Sequence, residues 1–291
     1  MRVHHLNCGT FCPFGGRLMD GLSRGAVGHL VCHCLLVETD RAGLALVDTG
    51  LGLRDMREPF PRLSRLYANL LNIRLDPERS AVRQIERLGF AAREVRHVVL
   101  THLDFDHAGG LEDFPDADVH LLEAEADAAL RRRRGFVAKR RYRPQQWGDT
   151  SRWRRYRAGG GEPWFGFEAV RDLAGLPPEI LLVPLVGHTF GHSGVAIRAD
   201  GGWLLNAGDA YFYRGEVGSK EYHCPPGLRA YQRLMEADRE ARLRNQARLR
   251  ELSLARPELR MMCSHDPVLL EGMAHATAEA RRGTLARAVA E

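Results

Sequence analysis

Apolar runs of strand length alternate along the chain with stretches whose apolar positions recur at helical spacing, the signature of α/β architecture. The strand candidates are His29 to Glu38, Leu44 to Asp48, Val95 to Thr101, Val119 to Leu122, Leu181 to Val186, Val195 to Arg198, Trp203 to Asn206 and Leu259 to Cys263. The helix candidates are Pro77 to Leu88, Glu123 to Arg134, a long one from about Gly227 to Leu254, and a C-terminal one from about Pro267 to Val289. In the long one, leucines at 228, 234, 243, 249 and 252 stand among many Arg and Glu, which predicts a narrow apolar stripe and a wet outer face. No internal repeat of fixed period interrupts the pattern, and one domain over residues 1–291 is expected.

The strands matter most for where they stop. VVLTH runs into His102, LLVPLVGH into His188, WLLNAGD into Asp209 and LRMMCSH into His265. In open α/β sheets ligands gather at the carboxyl ends of strands, on loops that a rigid sheet positions. One histidine after a strand is more often structural than a ligand, but four such endings in one chain point to a shared site. The densest stretch is Thr101 to Gly110, THLDFDHAGG, which packs His102, Asp104, Asp106 and His107 too closely for a helix to aim them at one point. A loop leaving a strand can do so, and Gly109 and Gly110 let the chain turn back. With His188, Asp209 and His265 the candidate groups number seven, enough for two divalent ions, and Asp209 could bridge them. Such mixed nitrogen and oxygen donors suit Zn, Mn, Fe or Co.

Composition bounds this picture without changing it. Hydrophobic residues make up 44% and charged residues 27% of the 291, a globular balance. There is no apolar run near the ~20 residues that span a bilayer. The N-terminus MRVHHLNCGTFCPFGG lacks the apolar core of a signal peptide, so the cytosol is the expected compartment. The same N-terminal stretch could form a homodimer contact or one wall of a pocket. Six cysteines are too few and scattered for a disulfide scaffold. Cys8 and Cys12 (CxxxC) with Cys32 and Cys34 (CxC) could make a four-thiolate zinc site, but reduced, buried thiols are the expected reading.

The net charge of +5 conceals an asymmetry, because residues 131–157 hold 12 Lys or Arg against the single acid Asp149, a local charge of +11. This segment, RRRRGFVAKRRYRPQQWGDTSRWRRYR, interleaves Phe136, Tyr142, Trp147, Trp153 and Tyr156 with arginines. Three roles are open to it: a nucleic-acid patch, a lid whose arginines clamp an anionic group, or a basic insertion that packs its aromatic residues on the body.

HLDFDHAGG resembles the HxHxDH motif of the metallo-β-lactamase superfamily, with Asp104 in place of the middle histidine. The ordered set VDTG around Asp48, HLDFDH, GHTFGHSG, NAGD and the final His265 resembles the superfamily over about residues 29–267. That resemblance implies an αββα sandwich with a dinuclear site at one edge of its two sheets. It puts His102, Asp104 and His188 on the first ion, Asp106, His107 and His265 on the second, and Asp209 between them. Asp48 would be a carboxylate orienting a ligand, and His192 a hydrogen-bonding loop residue. The implied cofactor is a pair of divalent ions, zinc first. If Asp104 ligates, as expected, it makes the first site harder and widens its tolerance for Mn or Fe; if it is too short to reach, the first site is weak.

The resemblance implies a hydrolase in which a metal-bound hydroxide attacks the substrate, while Asp106 carries a proton to the leaving group. Within the superfamily, HxxFDHAGGL, GHTxGHS and GDA resemble the N-acyl-homoserine lactonase branch. That branch has a tyrosine three residues after the bridging aspartate; Phe212 stands there, flanked by Tyr211 and Tyr213, and these three are the substrate-binding candidates. A small-molecule ester or lactone is the expected substrate. A thioester hydrolase of the glyoxalase II kind is the alternative, with a nucleic-acid-processing or nucleic-acid-binding protein third.

Overall fold

The computed structural model describes residues 1–131, 136–159, 163–199 and 201–277. In chain order its strands are β1 (Arg2–Phe11), β2 (Leu30–Glu38), β3 (Leu44–Val47), β4 (Ile73–Arg74), β5 (Val95–Val99), β6 (Asp118–Leu122), β7 (Trp153–Tyr156), β8 (Ile180–Pro184), β9 (Ser193–Ala199), β10 (Gly202–Asn206) and β11 (Arg260–Met262). They form two sheets, ordered β4-β1-β2-β3-β5-β6-β7 and β11-β10-β9-β8. In the larger sheet β1, β2 and β3 pair antiparallel, and β3, β5, β6 and β7 run parallel. In the smaller one β8, β9 and β10 are antiparallel and β11 joins β10 in parallel.

Side chains alternate across a strand, and here both faces of both sheets are apolar. Leu35, Val37, Ala45, Val47 and Val99 of the larger sheet meet Ile180, Leu182, Val195, Ile197 and Leu204 of the smaller in one core between them. The alternate residues Cys34, Leu36, Leu44, Leu46 and Val98 pack outward against helices Ala81–Arg87 and Glu123–Arg131. Leu181, Val183, Ala196 and Leu205 pack outward against helix Arg239–Ala255. The layers are therefore helix, sheet, sheet, helix, the αββα sandwich. This double burial explains why the strands read as continuous apolar runs and not as alternating ones.

Three features depart from the sequence pattern. The N-terminal segment is β1, an interior strand, although His4, His5 and Asn7 interrupt its apolar alternation. The polar side chains find partners across the pairing: His4 Nε2 lies 2.6 Å from Glu38 and His5 Nδ1 2.8 Å from His33 Nε2. The long helix expected over 227–254 is two helices, Pro226–Met235 and Arg239–Ala255. The break is bonded elsewhere: the Ala237 and Asp238 amides both donate to the Gly187 carbonyl at 2.9 Å, and Asp238 caps the second helix by accepting from Ala241 N. Gly187 adopts φ +140°, and a Cβ there would stand 2.4 Å from the Arg242 backbone nitrogen. Finally, the basic segment ends in β7 at the edge of the larger sheet, with Tyr142, Trp147 and Trp153 buried in the outer core. Of the C-terminal helix, residues 267–277 are helical, and the rest of that expectation, like Arg132 to Arg134, lies outside the described residues. No described helix is long and apolar enough to cross a membrane.

Because Asp238 satisfies an otherwise orphaned helix amide, Asp238→Ala is expected to cost about 1 kcal/mol. The check is a urea titration, with a lowered midpoint and an unchanged slope.

Candidate metal centre

The carboxyl ends of β3, β5, β8, β10 and β11 meet at one edge of the sandwich, and each delivers a polar residue there: Asp48, His102 with the HLDFDH loop, His188, Asp209 and His265. All are buried. The β5 loop folds back on itself, His107 N and Ala108 N both donating to the Asp104 carbonyl at 3.0 Å. It is tied to β3 by Thr49 N and Thr49 Oγ1, which donate to the His107 carbonyl at 2.7 and 2.9 Å. Glu125, buried on the helix after β6, joins two loops: it accepts from Leu103 N on one side and from Thr189 Oγ1 and Gly191 N on the other.

Around one point stand His102 Nε2, Asp104 Oδ2, His188 Nε2 and Asp209 Oδ2. The recorded separations are 3.6 Å (His102–Asp104), 3.8 Å (His102–Asp209), 3.1 Å (His188–Asp104) and 3.3 Å (His188–Asp209). Ligands at ~2.0–2.1 Å from a tetrahedral ion lie ~3.4 Å apart, so these edges suit one cation. The other oxygen of Asp209, Oδ1, faces His107 Nε2 at 3.4 Å; His265 Nε2 lies 3.1 Å from Oδ1 and 3.2 Å from Oδ2, and 3.7 Å from Asp106 Oδ2. Asp209 thus stands between two groups of donors. Cys32 joins Asp106 and His265 in a further cluster whose donor atoms lie within 4.8 Å of one another. Sequence reading left that thiol among buried cysteines, and all six cysteines are free.

The imidazoles are oriented from behind. His107 Nδ1 sits 2.9 Å from Asp48 Oδ2, His265 Nδ1 2.8 Å from the Val31 carbonyl, and His102 Nδ1 2.9 Å from Thr101 Oγ1. Asp48, held at φ 55°, also accepts from Thr101 N and Thr101 Oγ1 at 2.8 Å. His192 differs: Nδ1 meets the Leu185 carbonyl at 3.0 Å and Nε2 accepts from Asp209 N at 2.9 Å, so both nitrogens are spent in tying two loops together. Burial, with His188 beside it, pulls the His192 pKa down to about 3.

Electrostatics calls for cations. Burial alone would favour a neutral His107, yet Asp209 and Asp48 hold its pKa well above the ordinary imidazole value. Burial would likewise raise Asp104, but the Arg141 guanidinium, and then His102, hold it well below the usual carboxylate range. Meanwhile His102 Nε2, His107 Nε2 and Asp209 Oδ1 are buried with no hydrogen-bond partner. Unpaired buried polar atoms are costly, and donors of these types converging among carboxylates fit divalent ions.

The sequence missed Arg141, whose Nε lies 3.0 Å from Asp104 Oδ1. It also missed Tyr231, which packs on Phe212, the ring that stacks on His265; burial, then the fields of Asp106, Asp104 and Asp209, push that phenol's pKa well up. The three aromatic residues after Asp209 part company. Phe212 stacks on His265 with centroids 5.0 Å apart, Tyr211 is buried in the core outside the smaller sheet, and Tyr213 lies against Arg214 and His223. The loop is coiled because Glu216 accepts from both Phe212 N and Tyr213 N.

A profile of the metallo-beta-lactamase superfamily matches residues 27–250, and the chain belongs to that superfamily. It is 40% identical over 272 residues to a probable metallo-hydrolase of Mycobacterium tuberculosis, covering 93% of this chain and 82% of the relative. It is 27% identical over 128 residues to an N-acyl homoserine lactonase of Bacillus thuringiensis, covering 42% of this chain and 51% of the relative. Among solved structures, an N-acyl homoserine lactone hydrolase with N-hexanoyl-L-homoserine at its catalytic metal center shares the fold, with a TM-score of 0.69, 19% identity, and coverage of 93% and 95% of the two chains.

Asp48→Asn keeps the left-handed backbone within reach but removes the charge behind His107. It is expected to weaken ion retention by roughly 10- to 100-fold, read by competition with a chelator of known affinity; unchanged retention would refute the orienting role.

Proposed function

We propose that this metallo-hydrolase of the superfamily cleaves a small-molecule carboxylic ester or lactone at a two-ion centre. The observation that carries the reading is the placement of Asp209 among four imidazoles, with Oδ2 turned to His102 and His188, Oδ1 to His107, and His265 within 3.2 Å of both oxygens. Two divalent ions bound there supply Lewis acidity and activated water at neutral pH. His102, Asp104 and His188 would hold one, Asp106, His107 and His265 the other, and Asp209 both. Zinc suits the imidazoles, while the added carboxylate of Asp104 extends the choice toward Mn or Fe.

The chain's own residues do the remaining work. Asp106 is the most exposed carboxylate of the cluster, 7% against 3% for Asp104 and Asp209. We give it the role of handing a proton to the leaving alkoxide. Phe212, Phe105 and Tyr67 belong to an apolar cluster beside the centre, which suits an acyl group and excludes water. Tyr231 packs edge-on against Phe212, with centroids 6.1 Å apart, and offers a phenol for an oxyanion where the loop itself carries Phe212.

The basic segment supports a small substrate over nucleic acid. Three of its five aromatic residues, Tyr142, Trp147 and Trp153, are buried, and Tyr156 is half-buried with its hydroxyl on His120, which leaves Phe136 as the one exposed ring. Several of its arginines are occupied within the fold: Arg141 at Asp104, Arg143 on the Arg62 carbonyl, Arg154 on Asp118 and Arg157 on Glu123. The likeness to lactonases favours an oxygen ester or lactone; a thioester remains the second reading because the same donors would serve it.

Loaded with Zn, Mn or Fe, the protein is expected to hold about two ions per chain and to open N-hexanoyl homoserine lactone in a pH-stat assay. Only trace metal after all three loadings would sink the two-ion reading. Release of thiol from an acyl-glutathione, without lactone opening, would move the assignment to thioesters. Asp209→Ala is expected to lower kcat/KM by about a hundredfold or more, and Tyr231→Phe to lower kcat roughly tenfold with little change in KM.

A further inference from the structure

The segment that follows residue 135 brings a cation to the centre. Arg141 ends the short helix Ala138–Arg141 and is 3% exposed. Its Nε stands 3.0 Å from Asp104 Oδ1, Nη1 donates to the His188 carbonyl at 2.9 Å, Nη2 donates to the Met235 carbonyl at 2.9 Å, and Nη2 lies 3.2 Å from His188 Nε2. The backbones of Asp104 and Tyr142 form an isolated antiparallel bridge, which fixes the guanidinium beside the carboxylate. Asp104 therefore divides its oxygens, Oδ1 to Arg141 and Oδ2 toward His102 and His188.

A buried charge that has lost its partner is strongly destabilising, and a lone guanidinium so close to His188 would oppose a cation there. Paired, Asp104 and Arg141 sum to zero, the charge of a neutral imidazole, and the bonds from Nη1 and Nη2 to the His188 and Met235 carbonyls hold the guanidinium beside the carboxylate as an ion pair. We propose that Asp104 and Arg141 act as one unit that replaces a histidine at the first ion site, with Arg141 the positioning residue. The unit keeps the ligand set at the charge an all-imidazole site would have while presenting an oxygen donor to the ion. This rests on the reading of the cluster as a two-ion centre.

It follows that restoring the missing histidine alone damages the site. The test compares wild type, Asp104→His and Asp104→His/Arg141→Met, each loaded with zinc, dialysed and assayed for metal by mass spectrometry and for stability by urea titration without metal. Wild type is expected to hold about two ions, Asp104→His about one, with first-ion affinity at least roughly tenfold lower, and the double variant about two again. The metal-free urea midpoint should fall in the single variant and recover in the double. If Asp104→His does not fold, recovery of folding in the double variant supports the unit, and its absence overturns it. Two ions in Asp104→His, or no recovery in the double variant, overturns the Arg141 assignment and leaves the two-ion centre standing. Wild type that holds one ion or fewer after loading with Zn, and again with Mn and with Fe, overturns both.

Discussion

Four carboxylates, Asp48, Asp104, Asp106 and Asp209, are buried together at one edge of the sandwich, and the surrounding structure is organised by their charge. Two like charges ~4 Å apart repel by about 4 kcal/mol at an effective dielectric near 20, so such a group persists only where cations and donors meet it. The protein meets it in several ways: Thr101 donates twice to Asp48, Arg141 faces Asp104, and imidazoles converge on Asp209. The imidazole nitrogens left inward without partners mark where divalent ions would complete the balance.

The two sheets share the task. The β3 and β5 ends supply Asp48 and the HLDFDH loop, while β8, β10 and β11 supply His188, Asp209 and His265. Neither sheet holds a complete site, so the apolar core between them sets the spacing of the donors as well as the stability of the fold. Several ties cross that boundary directly: the His265 ring to the Val31 carbonyl, Ser193 N to the Thr101 carbonyl, and Glu125 to Thr189 and Gly191.

Much of this was legible in the chain because doubly buried strands are written as continuous apolar runs and because five of them, β3, β5, β8, β10 and β11, lead into a donor. The superfamily and the αββα layering followed from those endings in order. Less legible were features that depend on tertiary partners. β1 looked too polar until His4 and His5 found Glu38 and His33 across the pairing. The break before Asp238 left no proline or glycine signal, because it is made by backbone bonds to Gly187. Arg141 was hidden among 12 basic residues, and nothing local separates it from Arg140. Tertiary contacts single it out: the ion pair with Asp104, the bonds to the His188 and Met235 carbonyls, and the neighbouring backbone bridge between Asp104 and Tyr142.

In this architecture loops ordinarily carry specificity and can vary while the metal core stays fixed. The bridge from Asp104 to Tyr142 removes that independence for one loop. On the pairing proposed above, a segment without a cation at position 141 would leave Asp104 buried without its partner, and this segment set beside a histidine at 104 would carry an unmatched charge. Under that proposal positions 104 and 141 form one functional unit, so a substitution at either is read together with the other.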